Sequence, residues 1–310
     1  MERAGSKIVF GYFERRKSNV AHLDIARLHG LIRDGRRLDL ELREGIGSIQ
    51  ALLGQLTDRP SSPLPPAVAP EDIEQRLETA INASQFTNDS TFALVAVPPQ
   101  QLNLRQIFES RNAPLVQHLE NPPTIRRSGF DLVAGQNSSL HEGRLRRVVT
   151  AEYKLLELHR DGVLVFLTSG DHLCRRGNNP QRQFPRINPV VLVETTYLFV
   201  LFLHSALDGH IETGAAVQLQ LELRGFETGP KALRLYPGAL DSPYGPATAP
   251  AGTYRGSVEI RFQQTTPERA AVLLIAELYS WFGLEEDRIP YTRESDEGLV
   301  VDPDQIASLR

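Results

Sequence analysis

Cysteine and lysine are both scarce in this 310-residue sequence. The single cysteine, Cys174, excludes an intrachain disulfide bond and is compatible with a reducing compartment such as the cytoplasm. Lysine supplies four of the 34 basic residues, so the other 30 are arginine. One explanation of this excess of arginine over lysine is function, because the planar guanidinium binds phosphate or carboxylate and stacks on bases. The other is a GC-rich genome, which encodes arginine in place of lysine.

Long apolar runs are also few. The most apolar stretch runs from Pro189 to Leu207 and is interrupted by Glu194 and His204. A membrane span needs about 20 mostly apolar residues, and a charge near its middle is costly. This stretch therefore predicts a buried helix. No apolar run of signal-peptide length follows Met1, so we expect a soluble, cytoplasmic protein with no membrane partner.

Signatures of catalysis and of cofactor binding are missing from the sequence. It contains neither a Walker loop nor a Gly-x-Ser-x-Gly elbow, and Gly45-Ile-Gly47 lacks the third glycine of a dinucleotide fingerprint. His172 and Cys174 lie two residues apart, but no second pair completes a metal-ligand spacing. We expect no catalytic residue, no metal and no cofactor.

A proline-rich segment organises the chain into parts. Residues 59–70 hold five prolines and predict an extended linker. Before it, residues 1–58 form an arm and a helical segment; this helix begins near Val20 with Ser18 or Asn19 as its cap, and its leucines favour either a coiled coil or a helix hairpin. Residues 71–283 form the body, which divides into two sub-lobes near residue 209. Residues 284–310 form an acidic tail.

Hydrophobic periodicity predicts the elements of the body. Strands are expected at 91–97, 144–150, 153–159, 163–168, 216–224 and 254–263, and helices at 71–81, 189–207 and from Thr266 onward. Arg160-Asp161-Gly162 predicts a hairpin turn, whereas 169–188 reads as a long polar loop. The order predicts an α+β fold with largely antiparallel sheets and long buried helices, preceded by the N-terminal helical segment.

Charge is distributed unevenly along the chain. Residues 121–186 carry 11 basic and 6 acidic groups, and residues 264–310 carry 4 basic and 10 acidic groups. Either the basic region presents a positive face to a ligand, or the acidic end covers it within the fold.

Phosphate contacts require basic groups on one surface, and ten residues are candidates for binding nucleic acid. Arg144 and Arg146 share one strand face by the two-residue period. Arg182 and Arg186 extend the basic loop, and Phe184 is an aromatic ring on which bases stack. The ten candidates are Arg15, Arg16, Lys17, Arg126, Arg127, Arg144, Arg146, Arg147, Arg175 and Arg176.

Two stretches carry a family resemblance. Ile8-Val-Phe-Gly-Tyr-Phe13, the basic turn Arg15-Arg16-Lys17 and Leu23-Asp-Ile25 resemble the end of a Schlafen-type Alba-like domain. Residues 122–132 and 155–166 resemble the downstream region of bacterial proteins that carry that domain, which are often catalogued as DNA-binding or ATP-binding proteins. The resemblance implies a role in nucleic-acid-linked regulation or defence. Of the functional residues of that domain, only the basic turn Arg15-Arg16-Lys17 can be matched in this sequence. No residue pattern here supports ATP binding.

These patterns favour a non-enzymatic regulatory, scaffold or sensor module that binds nucleic acid through its arginines and assembles as a homo-oligomer or with a protein partner. Two alternatives remain open. One is a structural oligomerisation protein held together by residues 20–56, and the other is an enzyme whose site lies in the 169–188 loop.

Overall fold

The chain divides into two compact units, Met1–Pro63 and Leu64–Arg310, and the division falls inside the predicted linker. In the first unit, β1 (Phe13–Arg16) and β2 (Asn19–His22) form an antiparallel hairpin. The computed structural model describes residues 13–16 and 19–22 (backbone), 68–84, 90–104, 114–126, 131–132, 138–141, 143–149, 154–175, 184–238 and 245–309.

The hairpin corrects the predicted start of the N-terminal helix. Asn19 and Val20 lie in β2, where they pair with Arg16 and Arg15, and Asn19 is therefore not a helix cap. A β-branched valine fits a strand better than a helix entry, and cross-strand pairing overrides the local capping signal. The predicted helical segment beyond residue 22 lies outside the described residues.

The second unit has an α+β fold, as predicted. Its helices in chain order are α1 (Pro70–Ser84), α2 (Pro114–Glu120), α3 (Gly170–Leu173), α4 (Pro189–Ala206), α5 (Pro267–Trp281) and α6 (Pro303–Ala307). Its strands are β3 (Thr91–Val97), β4 (Ser139–His141), β5 (Arg144–Val149), β6 (Lys154–His159), β7 (Leu164–Ser169), β8 (Cys174–Arg175), β9 (Arg186–Ile187), β10 (Ala216–Arg224), β11 (Arg234–Leu235), β12 (Ala247–Thr248), β13 (Tyr254–Arg261), β14 (Thr292–Ser295) and β15 (Gly298–Val301).

A seven-stranded antiparallel sheet forms the centre of this unit, in the order β13-β10-β3-β7-β6-β5-β4. Strands β3 and β7 are buried along their whole length, so both of their faces must be covered. Helix α1 covers one face, where Ile73 and Leu77 pack on Val95 and Val165. Helices α4 and α5 lie on the other face, where α4 packs on β3 and α5 packs on β10 and β13.

Helix α4 is the predicted apolar helix. Asn188 caps it by accepting a hydrogen bond from Val190 N at 3.2 Å, and Pro189 occupies the first turn. Within the described ranges it is the one helix long and apolar enough to cross a membrane, but 83% of it is buried inside the fold. That burial is typical of the core helix of a soluble protein.

The acidic segment 284–310 is more than a tail. It contains the β14–β15 hairpin and helix α6, and it buries Ile289, Val301 and Ile306 in the main core. Arg269 of α5 donates a hydrogen bond to Leu299 O at 2.8 Å and pairs with Glu286. These three residues are 12 and 5 positions apart and follow no regular spacing, so periodicity alone does not reveal this packing.

The segment 169–188, predicted as an unstructured loop, contains α3, β8 and β9. Strands β8 and β9 belong to a second sheet of four short strands, in the order β12-β11-β9-β8. Two-residue strands are too short to leave a periodic signal in the sequence.

The predicted hairpin turn joins β6 and β7. His159 N donates to Val163 O at 2.8 Å, and Gly162 N donates to His159 O at 3.0 Å. Gly162 has a φ of 91°, and a Cβ at this position would lie 2.6 Å from Leu102 Cδ1. The turn therefore requires glycine both for its backbone conformation and for the space that Leu102 occupies.

We predict that Gly162→Ala lowers the free energy of unfolding by more than Gly209→Ala. Gly209 also has a positive φ, of 73°, but open space surrounds its Cβ position. The control therefore carries only the left-handed backbone cost of about 1–2 kcal/mol. Gly162→Ala adds an overpacking cost of about 1–3 kcal/mol. Chemical denaturation measures both, and equal losses would contradict the packing of Leu102 against this turn.

Candidate functional site

Arg144 and Arg146 lie on one face of β5, as their spacing predicts, but they are buried there. Both approach Glu157, which is fully buried on the neighbouring strand β6. Arg146 Nε donates a hydrogen bond to Glu157 Oε1, and Arg144 Nε lies 3.6 Å from the same oxygen. Their burial and pairing argue against the phosphate contacts predicted for these side chains.

Arg147 and Arg126 also serve the fold. Arg147 points to the opposite sheet face, where its guanidinium donates to Leu119 O at 2.7 Å and to Glu120 O at the end of α2. A cation at a helix C-terminus satisfies the last carbonyls and the dipole. Arg126 forms a two-bond ion pair with the buried Glu194 of α4, with Nη2 and Oε2 2.5 Å apart. Neither side chain faces an external ligand.

The other candidate residues are placed less completely. Arg15 and Arg16 lie in β1, where their backbone alone is described, and Arg175 is likewise placed in β8 by its backbone. Lys17, Arg127 and Arg176 lie outside the described residues.

Arg175 belongs to a row of arginines across the small sheet. Its Cα pairs with that of Arg186 on β9, and Arg186 pairs in turn with Arg234 on β11. We call Arg175, Arg186 and Arg234 the arginine row. Thr248 of β12, an exposed residue, pairs with Arg234 and continues the line.

Two-residue alternation explains why Arg186 and Arg234 share one face. The neighbouring residues Ile187 and Leu235 are buried in the main core. Successive side chains of a strand point to opposite faces, so burial of these two apolar residues leaves the other face of the sheet to Arg186 and Arg234. Arg186 and Arg234 are both partly exposed.

Two aromatic rings accompany the arginine row. Arg234 Cζ lies 3.6 Å from the centroid of the Phe184 ring, and Arg186 Cζ lies 5.6 Å from the same ring. Arg186 is also 5.8 Å from the centroid of Tyr236 and donates to its hydroxyl at 3.3 Å. Cation–π contacts of this kind hold guanidiniums in place without neutralising their charge.

The arginine row differs from the buried arginines in its charge balance. In the described part of the chain, neither Arg186 nor Arg234 forms an ion pair with a carboxylate. The Nε of each is buried without a hydrogen-bond partner there. Two oriented, uncompensated guanidiniums beside aromatic rings are suited to bind phosphate groups and to stack on bases.

Sequence reasoning found part of this site. Arg175, Arg186 and Phe184 stand out as basic and aromatic residues of one loop, but Arg234 and Tyr236 carry no such signal because the β9–β11 pairing joins distant segments. Among the residues that the structure describes, no group of three His, Cys, Asp or Glu side chains is placed to hold a metal ion.

Comparisons with protein-family models, with curated proteins and with solved structures found no match to this chain. The resemblance to the Schlafen-associated proteins therefore stays a prediction, and the geometry of the residues carries the functional argument.

We predict that Glu157→Gln lowers the free energy of unfolding by about 3–5 kcal/mol, because it leaves Arg144 and Arg146 buried without their shared counter-charge. Glu259→Gln is the matched control, since Glu259 is exposed on the edge strand β13, and its effect should stay within about 0.5 kcal/mol. Denaturant titrations compare the two, and equal stabilities would contradict a structural role for the buried ion pair.

Glu157 should also make the stability of the protein depend on pH in the acidic range. Burial would raise the pKa of Glu157, but the neighbouring His159 imidazole and the charges of Arg146 and Arg144 hold it below its ordinary value of 4.5. A lowered pKa contributes stability above 4.5 that is lost as pH falls through the folded-state pKa. The wild-type protein should therefore lose more stability than Glu157→Gln below that pH, and parallel curves would contradict this.

Proposed function

We propose that the protein is a non-enzymatic, cytoplasmic nucleic-acid-binding module whose contact surface is the arginine row with Phe184 and Tyr236. The observation that carries the proposal is the pairing of Arg186 with Arg234 in one register, with aromatic partners and without ion pairs among the described residues. Phosphate groups would bind the guanidiniums, and unpaired bases would stack on the guanidinium and aromatic planes.

The energetics of the small sheet support this proposal. Arg186 and Arg234 are partners in the parallel pairing of β9 with β11, so two positive charges lie on neighbouring strands, whereas Arg146 lies opposite a neutralising glutamate. Like charges on neighbouring strands repel each other. A polyanion would supply the missing counter-charge to the arginine row, and binding would therefore be strongest at low salt.

Assembly with a second copy or a protein partner belongs to the same proposal. The residues that predict it, 23–56 of the N-terminal helical segment, lie outside the described residues. A regulatory or scaffold role follows from a module that joins assembly to nucleic-acid binding, and this is also the role that the family resemblance implies.

We predict that the double variant R186Q/R234Q weakens binding of fluorescein-labelled single-stranded DNA and RNA and makes it less salt-dependent. Each phosphate contact contributes about 0.7 to the slope of log K against log salt for single strands, so the slope should fall by about 1.4. Fluorescence anisotropy between about 50 and 200 mM salt measures this slope. The full chain is used throughout.

The control carries the same charge change at two other exposed arginines. R261Q/R293Q alters residues of β13 and β14 outside the arginine row and should keep the wild-type slope. Wild-type protein that binds neither strand at low salt, or two double variants with the same slope, would overturn the proposal.

We also predict that Phe184→Leu weakens single-strand binding without changing the salt slope. Leucine keeps an apolar side chain but removes the ring, and loss of one stacked base costs about 1–3 kcal/mol. The matching duplex, whose bases are already stacked, should be less affected. An equal loss on duplex and single strand would show that the ring acts through folding, and thermal denaturation of the variant tests that directly.

A further inference from the structure

An open, partly polar depression of about 310 Å³, called the cavity below, lies on the surface beside the turn between β6 and β7. Arg76 of α1, Gln101, Asn103, His159, Arg160 and Asp161 line it. Backbone hydrogen bonds from Leu102 N to Asp161 O at 2.9 Å and from Leu104 N to Arg160 O at 3.0 Å join the two segments that form its walls. Its volume is at the lower end of small-molecule sites, and its lining is far more polar than theirs usually is.

Arg160 brings an uncompensated positive charge to this cavity. Its guanidinium lies against Gly143, where a Cβ would be 3.8 Å from Arg160 Cζ. Within the described ranges, no carboxylate forms an ion pair with Arg160. The side chain is exposed, so its charge is available to a ligand that enters the cavity.

Arg76 is the second cation, and it is held in a fixed orientation. Its two terminal nitrogens donate to the two oxygens of Asp161 at 2.9 and 2.6 Å, and both side chains are about four-fifths buried. Asp161 also accepts from Val163 N at 3.3 Å. A bidentate pair of this kind fixes the wall of the cavity, while Asp161 cancels the charge of Arg76.

His159 connects the cavity to the buried cluster on β5 and β6. Its Nε2 lies 3.4 Å from Glu157 Oε2, and Glu157 accepts a hydrogen bond from Arg146. Arg146 is 9% exposed, and its Nη2 is buried without a hydrogen-bond partner in the described part of the chain. His159 thus joins the wall of the cavity to a buried cluster in which Glu157 neutralises Arg146, and Arg160 is left as the cation that faces the cavity.

We propose that this cavity binds a small molecule through an oxyanion group, a phosphate or a carboxylate, with Arg160 as the main contact. With Arg76 and Asp161 cancelling, the charged residues of the lining have a net positive charge that an oxyanion neutralises. The site is separate from the arginine row in sequence and in strand, so it would serve a sensor role for a small anion rather than the nucleic-acid contact.

Isothermal titration calorimetry with inorganic phosphate and with succinate, each at constant ionic strength in chloride, tests the proposal and distinguishes the two chemistries. We expect the wild-type protein to bind at least one of the two anions and R160Q to bind it at least tenfold more weakly. R293Q removes an exposed arginine elsewhere and should bind as the wild type does. Absence of binding to both anions, or equal affinities of R160Q and R293Q, would overturn the proposal.

A second variant gives a change of opposite sign. D161N keeps the shape of the side chain and an acceptor oxygen for Val163 N, but it removes the negative charge that cancels Arg76. We expect it to bind the anion several-fold more tightly than the wild type, whereas a purely structural effect would weaken binding. Weaker binding by D161N would contradict the electrostatic account. R160Q should bind nucleic acid normally, so failure here leaves the proposed function intact.

Discussion

The second unit depends on one constraint: the central strands β3 and β7 are mostly apolar, are buried along their whole length and must be covered on both faces. Helix α1 covers one face, and two charged residues fix its flanks. Glu74 pairs with Arg224 at 2.6 Å on one side, and Arg76 pairs with Asp161 on the other. Residues two apart on a helix point in nearly opposite directions, so these contacts hold α1 across the sheet from β10 to the β6–β7 turn.

Cross-strand register decides which of the described arginines pair with a carboxylate inside the fold and which do not. On β5, the register places Glu157 opposite Arg146, and the carboxylate neutralises the guanidinium inside the protein. On the small sheet, the register places arginine opposite arginine, and aromatic faces hold the guanidiniums without cancelling them. The same residue type thus stabilises one sheet and leaves a charge excess on the other.

The sequence allows prediction of elements but not of partners across them. The seven-residue strand β3 and the nine-residue strand β10 have the bounds that the sequence predicts, and the predicted helix starts near Pro189 and Thr266 mark α4 and α5 correctly. Alternation also places Arg144 and Arg146 on one face. It contains no information on the strand that lies alongside, so neither the neutralising Glu157 nor the pairing of Arg186 with Arg234 follows from local pattern.

The acidic C-terminal segment, residues 284–310, has enough carboxylates to neutralise the net positive charge of residues 121–186. Its ion pairs therefore decide whether the basic residues keep their charge. In the described part of the chain, its ion pairs are local: Glu286 pairs with Arg269, and Asp287 with Arg288. Buried apolar residues and the contacts of Arg269 with Glu286 and Leu299 O hold the segment to α5 and the main core. Among the described residues, the segment therefore forms no ion pair with the arginine row. A protein of modest net charge can in this way keep a cationic surface available to a polyanion.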